Sequence, residues 1–558
     1  MPVSKLYDNL VHWRQTSLTY LVFSAVLILC VLLAFSMLHA ASSFIESVSM
    51  IQVFSSDEQI AVSQVAENLQ QGDLDPRGFY NYGYLYHSFS IFCIRSLSLL
   101  KEGPLDSRFI AHIMRLISVI FFFLSGMLLY KTSIQLGISK TLAIIFSLIF
   151  LSYNKYVYWG WHIHPDILQT FLVILSFFVL LRIEKETLSL ACCGLFLGMA
   201  FGTKYSGVFG LIVPVFIIIS RKYYVIRVEK SVVSFFRSIA FDLTVVISGF
   251  LFGWLIFNPY VLLHPLDFLA DFVSESRHVA RGHGKAESGN GFLWVNKIRT
   301  SLSWSMLSFL SISVAALFFG IKGFIADIML QKKEQLLDRN RAFVYALLSY
   351  VSLCSLHLFF LVNMRVIRFT FHIWPTVVLL SAFSLNYYTK KLPQKWRFAS
   401  KSIVVIILAL LTLPIFATNS KNIARELEIK RQSPLLLAGD WLKKNYPRDT
   451  RIFGGYYSYI PDDYFQNSDV SFKFTLKTIN EFNPDVLVLN KKIPGRYIWK
   501  KKGTMFKDGE FAISKLDLTP PHVECLKYLL SENSPYTISF ENDDVLILEK
   551  KKSSNGKG

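Results

Sequence analysis

Three polar clusters interrupt a mostly apolar chain, and each holds residues able to do chemistry. The first is Asp57-Glu58, within Ser55-Ser56-Asp57-Glu58-Gln59-Ile60-Ala61. After it Val62, Val65, Ala66 and Leu69 recur at helical spacing, before the turn Gly72-Asp73-Leu74-Asp75-Pro76. A carboxylate at a helix start is kept ionised by the helix dipole and can accept a proton from a substrate hydroxyl. Helix capping alone accounts for the same residue types. The second cluster is Trp159-Gly160-Trp161-His162-Ile163-His164-Pro165-Asp166, whose indoles, imidazoles and carboxylate suit a sugar and a polar headgroup. An interfacial aromatic belt explains the tryptophans but does not call for His164-Pro165-Asp166. The third follows Asn258-Pro259-Tyr260 and carries Asp267, Asp271, Glu275, Arg277, His278, Arg281, His283 and Lys285. With Lys204, Arg365 and Arg368 it forms a cationic set suited to a phosphate, since arginine offers paired donors and lysine a point charge.

The elements that position these clusters are membrane helices. A chain of 558 residues, 53% hydrophobic and 17% charged, is too apolar for a soluble fold. The formal net charge of +19 comes from Lys and Arg gathered between apolar runs, as in loops facing anionic lipid, which argues against nucleic acid. Five of the six cysteines lie in apolar segments and only Cys525 in the polar tail, a pattern without a disulfide framework or metal-ligand spacing.

Leu18 to Leu38 is long enough to span a hydrocarbon core of ~30 Å, and it is too long for a cleaved signal. Lys5 and Arg14 before it place the N-terminus inside. Further apolar runs at 110–130, 141–157, 165–181, 188–203, 205–220, 238–257, 302–323, 342–362, 369–388 and 402–418 bring the expectation to about eleven spans. The basic pairs Lys131 with Lys140, Arg221 with Lys222, and Lys332 with Lys333 then fall inside, as does the group from Lys390 to Lys401. The stretch 84–100 contains His87 and Arg95 and is expected to lie along the interface. The expected architecture is thus a polytopic α-helical membrane protein, N-in and C-out. Its expected units are a catalytic membrane domain 1–418, an external α/β domain 419–549 and a disordered tail 550–558.

The clusters resemble the GT-C glycosyltransferases that use polyprenyl-phosphate sugars, including protein O-mannosyltransferases and the aminoarabinose transferases of lipid A. Asp57-Glu58 looks like that family's acidic pair in the first external loop, and His164-Pro165-Asp166 falls where relatives carry a second acid. Arg115 and the residues after it resemble the second span. Gly198 to Gly207 resembles a lysine-containing glycine-rich segment, and Arg365 and Arg368 stand before a late span as basic residues do in relatives. Asn81-Tyr82-Gly83 departs from the paired prolines of many members.

The resemblance implies inverting transfer of a sugar from a polyprenyl-phosphate donor to a lipid, glycan or protein acceptor. It implies Asp57 as general base, with Glu58 and Asp166 positioning it and the acceptor. Lys204, Arg365, Arg368, Arg277 and Arg281 are the expected phosphate ligands. Tyr82, Tyr84, His87, Trp161, His164 and His278 are the expected substrate contacts. No cofactor is required on this view; a divalent metal is compatible but not called for. A bacterial inner membrane with an external active site is favoured, because Cys525 is unpaired and no retention signal ends the sequence. The competing class is a transporter or flippase, against which stands the gathering of polar residues at one face.

Overall fold

A computed structural model describes residues 24–281 apart from 26, 47, 77–79, 81, 101–104 and 230. It also describes 292–301, 339–362, 366–455, 458–470, 475–491, 498–499, 512–513, 525 and 528–551. The expected span 302–323, the Lys332-Lys333 pair, Arg365, His283 and Lys285 lie outside the described residues, as does nearly all of the tail 550–558.

The chain begins with the apolar helix α1 (Leu27–Ala41), then α2 (Val48–Phe54), α3 (Ser56–Gln71) and α4 (Leu85–Ser98). The membrane part continues through α5 (Ser107–Gln135), α6 (Lys140–Ser152), α7 (Asn154–Gly160), α8 (Pro165–Arg182) and α9 (Glu186–Thr203). A 3-10 turn over Tyr205–Leu211 leads into α10 (Ile212–Glu229) and α11 (Val232–Leu255). After them come α12 (Tyr260–Leu263), α13 (Pro265–Arg281), α14 (Phe292–Ser301), α15 (Arg339–Leu361), α16 (Trp374–Lys391) and α17 (Gln394–Arg431). Among the described residues six helices are long and apolar enough to cross a membrane, or seven if α6 and α7, bent by 69° at Tyr153, count as one. The expected total of about eleven is not reached among them, partly because one expected span lies outside the set.

The runs 188–203 and 205–220 are separate helices, because Lys204 is extended (φ −156°, ψ 134°) and breaks the α-helical ladder. Stretch 84–100 forms the 14-residue α4, too short to span.

Close approach of α9 to α11 sets the wall on which Lys204 is mounted. A Cβ added at Gly198 would lie 1.9 Å from the Phe250 carbonyl oxygen, and one at Gly253 would lie 2.1 Å from that of Leu195. Backbone meets backbone there, as small residues allow inside a membrane. Gly198→Leu is therefore expected to destabilise the fold by more than the ~1–3 kcal/mol of ordinary overpacking, read as a lowered thermal midpoint in detergent.

The helix α17 has 38 residues and runs through position 419, where the external domain was expected to start. At ~1.5 Å per residue it is about 57 Å long, and its polar C-terminal part continues to Arg431. After α17 comes α18 (Pro434–Asn445), capped by Ser433, which opens the C-terminal α/β part. It contains β1 (Ile452–Gly454), β2 (Ser468–Val470), α19 (Leu476–Phe482), β3 (Val486–Asn490), β4 (Ile498–Trp499), β5 (Ala512–Ile513), β6 (Tyr536–Glu541) and β7 (Val545–Lys550). The main sheet runs β2-β1-β3-β7-β6. β1 is parallel to β2 and β3, and β7 is antiparallel to β3 and β6. The apolar runs Asp485–Leu489 and Asp544–Leu548, which read in the sequence as short buried strands, form the adjacent β3 and β7, with Leu487 opposite Leu548. Leu487, Leu489, Leu546 and Leu548 enter one core, while Val486, Val488, Val545 and Ile547 enter another on the opposite face. Both faces are covered, which is why these strands read as unbroken apolar runs.

Candidate active site

Asp57 and Glu58 occupy the first turn of α3. Successive residues on a helix point about 100° apart, so the two carboxylates cannot face one pocket. Glu58 is fully buried, and its Oε2 accepts from Arg115 Nε at 3.0 Å and Nη2 at 2.6 Å. Its Oε1 accepts the Ile163 N–H at 2.8 Å. Burial pushes the Glu58 pKa up, and the Arg115 guanidinium and Ile163 amide pull it back. Arg115 is also fully buried, donates to the carbonyls of Ala41 and Ser43, and sits 4.1 Å from the centre of the Phe54 ring. Glu58 thus ties α3 to α5 and to the α7–α8 turn.

Asp57 turns the other way. Its side chain is 43% exposed, and Oδ2 lies 3.4 Å from Arg368 Nη1. Arg368 is presented by a 3-10 turn (Ile367–Thr370), is 9% exposed, and stacks over Trp159 at 5.1 Å. Its Nε lies 3.9 Å from Asp166 Oδ2.

Asp166 is held at the start of α8, where His164 is the extended N-cap and Pro165 supplies the pre-set first helical residue. Lys204 Nζ donates to Asp166 Oδ1 at 2.6 Å, and His164 Nδ1 lies 2.7 Å from Oδ2. His164 is buried, and desolvation lowers its pKa to about 4 although Asp166 raises it, so the ring is neutral at neutral pH. Tyr82 packs edge-on to His164 at 6.0 Å, and Lys204 lies 4.7 Å from the Phe369 ring centre. The end of α9 and the start of α8 meet at one end of an antiparallel pair, which is how residues 38 positions apart come into contact.

The structure therefore brings together Asp57, Asp166, Lys204, Arg368, His164 and Tyr82. Tyr84 and His87 stack on each other at 4.8 Å, both buried, and Tyr84 bonds Asn68 and Asn258. Trp161 is fully buried behind Phe54 and His162. Arg277 is exposed on α13. Arg281 and His278 belong to the same helix, and their side chains lie outside the described set.

Two contributors were not singled out from the sequence. Gln169, one turn after Asp166, donates to the Lys204 carbonyl at 3.0 Å and to Ser206 at 2.9 Å, fixing the turn that carries the lysine. Its i+3 spacing from Asp166 was the available signal. Helix α13 covers this end: Asp271 accepts the Tyr80 N–H at 2.9 Å, and Phe272 packs on Tyr205 at 4.9 Å. Among the described residues no three His, Cys, Asp or Glu side chains gather as a metal-binding group.

Residues 109–259 match the family model described as dolichyl-phosphate-mannose-protein mannosyltransferase. That segment contains Arg115, Asp166 and Lys204 but neither Asp57 nor Arg368. No curated protein matches the chain by sequence. Among solved structures, ArnT from Cupriavidus metallidurans bound to undecaprenyl phosphate superposes with a TM-score of 0.50 at 10% identity, over 97% of this chain and 100% of that one. The archaeal oligosaccharyltransferase AglB from Archaeoglobus fulgidus, in complex with an inhibitory peptide and a dolichol-phosphate, gives 0.49 at 10% identity over 85% and 69%. The transporter alternative finds no support in these comparisons. The chain is a membrane glycosyltransferase of the GT-C fold whose residues 109–259 are similar to the dolichyl-phosphate-mannose-protein mannosyltransferase family.

Proposed function

We propose that the chain moves a sugar from a polyprenyl-phosphate donor to a hydroxyl or amine acceptor, with inversion, and that Asp57 is the general base. The observation that carries this is the position of Arg368: a nearly buried guanidinium bridging the half-exposed Asp57 and the enclosed Asp166–Lys204 pair. Two carboxylates and two cations balance, with His164 neutral. A phosphate arriving at Arg368 competes with Asp57 for the guanidinium, and the displaced carboxylate is then free to take the acceptor proton as the acceptor attacks the anomeric carbon. The C–O bond to phosphate breaks, and the phosphate leaves without an acid because it is already a stable anion. Lys204 and Asp166 hold Arg368 in place rather than meeting the substrate first.

Beside the Arg368 turn lies a largely apolar cavity of about 290 Å³, lined by Trp294, Leu358, Ile367 and Trp374 among others, which suits a prenyl chain. No step is routed through a metal. The acceptor class is open to lipid, glycan or protein, and we place the enzyme in a bacterial inner membrane with the site on the outer side.

The test is incubation of the purified full chain with radiolabelled polyprenyl-phosphate sugars and a membrane extract as acceptor pool. Product from the wild type supports the proposal; intact protein that leaves every donor untouched overturns it. Arg368→Ala is expected to lower kcat/KM for the donor by about 10- to 100-fold, the equivalent of one hydrogen bond to a charged group, chiefly through KM. A kcat loss at constant KM would instead put Arg368 in contact with the transition state alone.

A further inference from the structure

The backbone on either side of Tyr82 is held by three side chains that the proposed mechanism does not use. Asp271 Oδ2 accepts the Tyr80 N–H at 2.9 Å, and Asn258 Oδ1 accepts the Tyr84 N–H at 2.6 Å. Between these two points the Tyr205 hydroxyl donates to the Tyr80 carbonyl oxygen and lies 3.2 Å from that of Tyr82. Gly83 completes the seat, since a Cβ there would lie 2.0 Å from the Gly202 carbonyl oxygen and only glycine lets the segment rest on the end of α9.

This seat fixes where the Tyr82 ring stands. Lys204 Nζ lies 5.8 Å from its centre and 4.7 Å from that of Phe369, and the ring meets His164 edge-on at 6.0 Å. An ammonium enclosed by two aromatic rings and the Asp166 carboxylate is shielded from water, so the ring helps keep Lys204 on Asp166. Tyr205 follows Lys204 in the chain, so one turn carries both the cation and the hydroxyl that fixes the ring beside it. Asp271 arrives from α13, whose half-buried face presents Phe268, Asp271, Phe272 and Glu275 at helical spacing. Phe268 and Phe272 pack on Tyr205 at 5.9 and 4.9 Å, and Phe268 also packs on Trp254 at 5.6 Å. The helix thus has an aromatic footing of its own, and the Asp271 carboxylate is spent on ordering the neighbouring segment.

We propose that Asp271 and Tyr205 are positioning residues of the donor site. They hold Tyr82 against Lys204 and His164, so that the Lys204–Asp166 pair beside Arg368 keeps its place. The effect on transfer rests on the transferase mechanism above; the hold on residues 80–84 does not. Tyr205→Phe removes one hydroxyl and keeps the ring that packs on Phe272. Asp271→Ala removes the acceptor for the Tyr80 N–H, and Asp271→Asn puts an amide oxygen in its place.

The experiment measures the KM and kcat of the full chain for radiolabelled polyprenyl-phosphate sugar, beside hydrogen–deuterium exchange of residues 80–84 in lipid nanodiscs. Tyr205→Phe and Asp271→Ala are each expected to raise the donor KM about 2- to 10-fold, as for loss of one hydrogen bond, and to speed exchange in that segment. Asp271→Asn is expected to restore most of the Asp271→Ala loss; equal losses in the two overturn the hydrogen-bond role. A variant that merely folds less well lowers the maximal rate at unchanged KM, and that outcome overturns the positioning role. In a Tyr82→Ala background Tyr205→Phe is expected to add nothing, because the group it acts through is gone, and additive losses overturn the route through Tyr82. Wild-type protein that consumes no donor, with exchange still faster in the variants, refutes the transferase mechanism and leaves the hold on residues 80–84 standing. Unchanged exchange in both variants overturns that hold whatever the transfer result.

Discussion

Asp57→Asn is expected to lower the transfer rate by about 10²- to 10⁴-fold, the range a positioned general base contributes, while the protein folds as before. The asymmetry follows from its place. With 43% of its side chain exposed and one long contact to Arg368, Asp57 contributes little to stability. Asparagine keeps the shape but has no basic oxygen, so the acceptor proton has no destination at the moment of attack. The measurement is the initial rate of radiolabelled sugar transfer at saturating donor, beside a thermal midpoint for both proteins. A variant that transfers at the wild-type rate removes Asp57 from the mechanism. Asp166, which shares Arg368 with Asp57, is then the next candidate, but its two oxygens are already engaged by Lys204 and His164 at 2.6 and 2.7 Å.

Glu58→Ala is expected to do the opposite: to cost about 3–5 kcal/mol of stability, because it strands the Arg115 charge in a buried site. Arg115 would keep only the Ala41 and Ser43 carbonyls and the Phe54 ring as partners. Activity falls only as folded protein is lost. The measurement is thermal or denaturant unfolding in detergent, read against the remaining specific activity of the folded fraction. The double variant Glu58→Ala/Arg115→Met removes both charges and is expected to recover much of the loss, since two apolar groups need no partner. If the single change leaves the midpoint in place and removes activity instead, Glu58 belongs to the chemistry and the structural assignment fails.

These opposite expectations for neighbouring residues show where sequence reading stops. The motif Asp57-Glu58 was legible as acid at a helix start, and the resemblance offered a joint role. The division of labour was not legible, because it depends on which side of α3 faces α5. Arg115 stood among apolar neighbours, a rare place for arginine, and its partner 57 positions earlier is set by the packing of two helices. Likewise the sequence offered Tyr84 as a polar aromatic, and only the packing shows it bonded to Asn68 and Asn258 and stacked on His87.

By itself the sequence determined the membrane class, the separate helices on either side of Lys204, the short α4 and two adjacent strands of the C-terminal sheet. Each is written in local pattern: run length, periodicity, and charge at the ends of apolar stretches. The resemblance added the GT-C expectation. Only the tertiary structure decided that Lys204 neutralises Asp166, that Arg368 is shared between Asp57 and Asp166, and that α17 runs on past residue 419. Those are contacts between residues tens to hundreds of positions apart, and a charge's role depends on what it meets. Sequence spacing fixes which groups are available; packing fixes which are already spent on one another and which are left for a substrate.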